Sequence, residues 1–178
     1  MEKIFFTEEQ RFNQWWLWLI LILAGLTIIV PFSIGIYTQE VLHKPFGENP
    51  MSTEGLIVTG VFSVLLLGII LLVVARLKLR TKITNEGIFI AYPPIRKKWK
   101  KISTEEIGKY EIREYSAIRE FGGYGIRKRR WRHGVAYTVS GNVGLQLWLK
   151  NGKKLLIGTQ KKLAIKSAMD KLMEGERE

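Results

Sequence analysis

Between Phe121 and Arg132 the chain carries Gly122, Gly123, Tyr124 and Gly125, followed at once by Arg127, Lys128, Arg129, Arg130 and Arg132 around Trp131. Glycines in a turn can aim several backbone N–H groups at one anion. Five cations in six positions add a field that favours a negatively charged partner. The chemistry expected of this stretch is anion binding, with Trp131 as an aromatic anchor at a membrane interface. A second basic run, Lys97, Lys98, Lys100 and Lys101, offers an assisting patch. Beside an anionic leaflet each cation is worth on the order of 1 kcal/mol, so the first run supplies at most about 5 kcal/mol before screening.

Other chemistries are poorly served. The chain has no cysteine and only His43 and His133, which removes disulfides, thiol catalysis and cysteine or histidine-rich metal sites. No cofactor motif is present: Gly122 to Gly125 lacks the Lys-Ser/Thr ending of a P-loop and the length of a dinucleotide fingerprint. Ser140 has no nucleophile-elbow context, His133 beside Arg132 reads as a surface or turn residue, and Glu105-Glu106 open a short turn. A binding module rather than an enzyme is expected. Tyr124 and Trp131 lie near the cations, yet no RNA-binding motif accompanies them.

The elements that must position this site fall into two contrasting halves. Residues 1–75 hold three Lys/Arg against six Asp/Glu, whereas residues 76–178 hold twenty-five against ten, within a total charge of +12. Two apolar runs occupy the first half. Trp15 to Ile36 and Leu56 to Ala75 are free of charge for 22 and 20 residues, and at about 1.5 Å per residue each reaches roughly 30 Å, the thickness of a bilayer core. They predict membrane helices over about 13–37 and 55–76. Trp15, Trp16 and Trp18 at one end and Tyr37 at the other fit interfacial anchors. A cleaved signal peptide is a poorer reading, since the run is too long and Glu2, Glu8 and Glu9 precede it. Lys3, Arg11, Arg76, Lys78, Arg80 and Lys82 flank the outer ends of the two runs, against Lys44 alone in the connecting loop. That asymmetry predicts both termini on the cytoplasmic side.

Beyond Arg76 the period changes to two. Leu77, Leu79 and Ile83 alternate with Lys78, Arg80 and Lys82, and Asn85-Glu86-Gly87 supplies a turn. Further strands are expected over 88–92, 97–102, 109–115, 135–140, 145–150 and 153–158, with Asn151-Gly152 as a hairpin turn. Thr159 is placed to cap a helix over about 160–173, in which Ala164, Ile165, Ala168, Met169, Leu172 and Met173 share one arc.

That order of elements resembles the pleckstrin-homology-like superfold, about seven antiparallel strands closed by a C-terminal amphipathic helix. The whole chain is similar to small uncharacterised bacterial membrane proteins that carry a bacterial PH-like domain after a two-helix hairpin. The likeness rests on Gly122 to Arg127, Ala136-Tyr137 before Ser140-Gly141-Asn142, and Gly152-Lys153-Lys154 running into Ile157 to Gln160. It implies an α+β protein with a transmembrane hairpin in 1–76 and a cytoplasmic PH-like domain in 77–178, integral to the inner membrane. The expected partner is anionic phospholipid, bound at Gly122, Gly123, Tyr124, Gly125, Arg127, Lys128, Arg129, Arg130, Trp131 and Arg132. The alternative is an acidic segment of a partner protein held by a sheet edge or by the same loop.

Overall fold

A computed structural model describes residues 2–129 and 134–175; Arg130, Trp131, Arg132 and His133, all within or beside the predicted site, lie outside the described residues. The chain divides into two compact units, Asn13–Ala75 and the combination of Met1–Phe12 with Arg76–Glu178. The fold is α+β, with two long apolar helices followed in sequence by sheets.

The first unit is a helical hairpin of α1 (Trp15–Glu40) and α2 (Thr53–Arg76). Both helices are long and apolar enough to cross a membrane. Large apolar side chains such as Ile22, Leu26, Val58, Phe62 and Leu65 are exposed on both, which suits hydrocarbon and not water. Glycine lets the two helices approach. A methyl group on Gly60 would come 3.2 Å from Phe32, and one on Gly25 would come 3.3 Å from Leu67. Gly68, which shares their composition, faces open space.

The second unit holds nine strands among the described residues. One sheet contains β1 (Ile4–Arg11), β2 (Lys78–Thr84), β3 (Gly87–Tyr92) and β4 (Arg96–Ile102), in that order and antiparallel throughout. The other contains β5 (Ile107–Glu114), β6 (Gly125–Arg129), β7 (Gly134–Thr138), β8 (Val143–Leu149) and β9 (Lys154–Gly158), in the order β5-β8-β9-β7-β6. A single turn, Thr104–Glu106, joins the sheets, and α3 (Ala117–Phe121) precedes β6. The chain closes with α4 (Lys162–Glu174).

Leu79, Ile83, Ile88, Ile90 and Tyr92 of the first sheet meet Tyr137, Leu145, Leu147 and Ile157 of the second and Ile165, Met169 and Leu172 of α4 in one core. A smaller cluster of Tyr115, Ala117, Phe121, Ala136 and Leu156 forms on the opposite face of the second sheet, under α3.

Three features differ from the sequence expectations. The first twelve residues belong with the sheets and not with the hairpin. β1 was hidden because its inward positions are Phe6, Glu8 and Gln10, so apolar and polar residues do not alternate. Glu8 is accommodated by hydrogen bonds, accepting from Thr159 Oγ1 at 2.7 Å and from the Gln160 N–H at 2.9 Å, while Gln10 Nε2 donates to the Gly158 carbonyl at 2.8 Å. These bonds explain the second difference. Thr159 is engaged with Glu8 and with the Lys161 N–H, and the N-cap position of α4 falls at Lys161. The third lies in the second sheet, where β7 runs parallel to β9 and the predicted insertion of 121–132 contributes the edge strand β6. Among the described residues the count is therefore nine strands with one parallel pair, where about seven antiparallel ones were expected.

Candidate functional site

The glycines of the predicted anion loop are committed to backbone geometry. Gly122 sits at φ +75°, the left-handed conformation that ends α3, and its N–H donates to the carbonyls of Ala117 and Ile118. The Gly123 N–H donates to the Ala117 carbonyl at 2.8 Å, and Gly125 enters β6 opposite Thr138. The expected cradle of N–H groups at 122 and 123 is thus corrected: the end of α3 consumes those donors. Tyr124 donates its hydroxyl to the Gly141 carbonyl at 3.2 Å.

Because β6 is a strand, its cations alternate between faces. Ile126 and Lys128 lie opposite Tyr137 and Val135, on the core face; Arg127 lies opposite Ala136, on the face that α3 covers. The guanidinium groups on that outer face are largely occupied. Arg127 Nε donates to the Tyr124 carbonyl at 3.0 Å, and Arg129 Nη1 donates to the carbonyls of Arg119 and Glu120 at 3.3 and 3.4 Å. Among its described residues the basic run is split in space, Lys128 on the core face and Arg127 and Arg129 on the other.

The second basic patch is also divided. Lys101 pairs with Glu86 at 2.8 Å and lies over the Phe89 ring at 5.5 Å, on the outer face of the first sheet. That pairing holds the Glu86 carboxyl below its ordinary range. Lys97 and Lys98 are exposed where the register of β4 against β3 slips between the Ile90 and Tyr92 positions. Lys100 faces the other way. It lies opposite Ile90 on the core side, half-buried, with its ammonium 5.9 Å from the centre of the Tyr137 ring.

Lys100 therefore connects the edge strand β4 of one sheet to β7, next to the edge of the other. Its electrostatic neighbours are Arg96, Lys153 and Lys128, with Glu106 as the one acid among them. Burial first, and then those like charges, push its pKa below that of an ordinary lysine. Arg96 lies opposite Tyr92, a fully buried side chain whose hydroxyl donates to the Thr138 carbonyl at 3.1 Å and whose pKa burial raises. Among the described residues Arg96, Lys97, Lys98, Lys100, Lys128 and Lys153 have no carboxylate within ion-pairing distance.

Three large apolar side chains are exposed on these elements, Ile95 at 66% beside β4, Trp99 at 48% on β4 and Ile118 at 73% on α3. Trp99 was passed over in sequence because it interrupts a lysine run, and Arg96 and Lys153 because each sits beside a turn. Register sets Arg96 opposite the buried Tyr92. No family model, curated protein or solved structure matches the chain.

Proposed function

We propose that the protein is an integral membrane binding module with both termini in the cytoplasm, whose PH-like sheet unit docks its two basic edge strands on anionic phospholipid. The observation that carries this reading is the set of cations on β4 and β6 that have no carboxylate within ion-pairing distance among the described residues, with Ile95 and Trp99 exposed beside and on β4. Cations attract a negatively charged surface, while amphipathic rings and aliphatic side chains partition into its headgroup boundary. Connectivity supports the same reading: only Phe12 to Gln14 separate β1 from α1, and only Leu77 separates α2 from β2. A sheet unit on such short tethers has little freedom to leave the surface. Since two spanning helices already anchor the chain, the basic edges would set its pose and not its recruitment.

Hydrogen exchange of the full chain tests the proposal, in nanodiscs of phosphatidylcholine alone and with phosphatidylglycerol added. Slower exchange at 96–101 and 125–129 only with the anionic lipid, lost at high salt, is the expected result. Equal exchange in both lipids at physiological salt would overturn it.

One observation favours a second reading. β4 is the terminal strand of its sheet, and an acidic extended segment of a partner could pair along its outer edge. Crosslinking from Lys97 or Lys98 in native membranes would then trap one defined protein.

A further inference from the structure

The most unusual feature of the sheet unit is that its cations also point inward. Charged residues facing inward on an edge strand can serve to prevent edge-to-edge association, but that needs one charge and not a cluster. Here the inward cations of both strands lie along β7: Lys100 stands over Tyr137, and Lys128 is opposite Val135, two residues away on the same face. Arg96 and Lys100 come from β4, Lys128 from β6 and Lys153 from the turn before β9, over a floor made by Tyr92 and Tyr137. Among the described residues, four cations against Glu106 leave a local excess of three positive charges. Such an arrangement disfavours its own fully charged state unless an anion completes it.

We infer that the gap between the open edges of β4 and β6 binds a phosphomonoester dianion, with Lys100 and Lys128 contacting its oxygens and Arg96 and Lys153 supplying flanking charge. A carboxylate or a phosphodiester brings one negative charge to this site, and a phosphomonoester brings two. Ammonium groups act as point charges and accept the tetrahedral arrangement of phosphate oxygens without a fixed in-plane geometry. The inference rests on the anion-binding reading of these edges and gives it a defined pocket and ligand class. The ligand chemistry is shared by a lipid headgroup and a soluble metabolite.

The test uses the full chain in neutral phosphatidylcholine nanodiscs, titrated at constant ionic strength with glycerol phosphate, a monoester, and dimethyl phosphate, a diester. The monoester is expected to bind at least tenfold more tightly. Lys100→Met and Lys128→Met should each weaken it at least tenfold, Lys100→Arg should retain most of it, and Lys97→Met should change it less than twofold. Lys100→Met removes a half-buried charge among like charges, so the unliganded variant should melt at or above the wild-type temperature. Equal affinity for the two esters, or an unchanged affinity in Lys100→Met, would overturn the inference. Phosphatidic acid placed in the nanodisc identifies the source: competition with glycerol phosphate assigns a lipid headgroup, and no competition assigns a soluble ester. Docking on phosphatidylglycerol without preferential monoester binding would discard the pocket alone. Monoester binding without any docking would discard only the membrane reading.

Discussion

At Glu9 one carboxylate, a third exposed, meets Lys78 at 3.0 Å, Arg80 at 2.8 Å and Arg11 at 2.9 Å. Hydrogen bonds from Lys78 and Arg80, and then from Arg11, lower its pKa from 4.5 to about 2. Three of the cations that predict orientation in the sequence are thus gathered around one acid, a fact that spacing alone conceals because Glu9 and Lys78 are distant in sequence. The consequence for stability has a definite sign. A carboxyl that titrates lower when folded contributes above its unfolded pKa, and the contribution is lost as pH falls from 4.5 through about 2. Glu9→Gln should therefore cost on the order of 1 kcal/mol at pH 7, after allowance for solvent screening. Denaturant melts at pH 7 and pH 2.5 check it, with the gap between variant and wild type shrinking at the lower pH. The same scale explains what was legible at the candidate site. Residue types announced a cationic protein, but which lysine is paired, as Lys101 is with Glu86, and which is inward, as Lys100 is, depends on strand partners that lie far away in sequence.

Elements with strong local signals were readable. Both apolar helices, the turn at Asn85 to Gly87, the single turn at 104–106 and the buried arc of α4 all follow from patterns contained within a short window. Elements whose pattern is set by distant partners were not. β1 needs Glu8 and Gln10 inside, which makes sense only once Gly158, Thr159 and Gln160 are known to receive them. β6 was read as a loop because its glycines and cations resemble one, although its pairing with β7 makes it an edge strand. Two glycines separate conformational from steric demands. Gly122 has open space around its absent side chain, so Gly122→Ala should cost only the left-handed backbone penalty of about 1–2 kcal/mol. Gly87, at φ +128°, would drive a methyl group into the carbonyl of Ile102 and push β3 from β4. Gly87→Ala should exceed about 2 kcal/mol, as expected of substitutions that combine strain with a clash. Thermal melts of the two variants in one detergent rank them, and equal losses would mean that the β3–β4 approach is not rigid.

The pairing of β1 with β2 makes a demand on the whole molecule. Ile4–Arg11 precedes the first apolar helix and Lys78–Thr84 follows the second, and the two strands are neighbours from Ile4 with Thr84 to Arg11 with Lys78. Chain segments hydrogen-bonded to each other occupy one side of any membrane, so the two helices must cross it together or not at all. That deduction is independent of the charge asymmetry, which bears on the direction: under the proposed reading, cations at the outer ends of the runs put the sheet unit in the cytoplasm. Since the sequence contains no cysteine, single cysteines can report both points without background. Glu48→Cys lies in the loop between the helices and Ile118→Cys lies in the sheet unit, and both positions are exposed. In intact cells a membrane-impermeant maleimide should label Glu48→Cys and leave Ile118→Cys unlabelled until the membrane is opened. Labelling of Ile118→Cys alone would invert the orientation and remove the cytoplasmic leaflet as the docking surface. Labelling of both in intact cells would show that the apolar hairpin does not span, and the phospholipid reading would fall with it while the strand pairing stood.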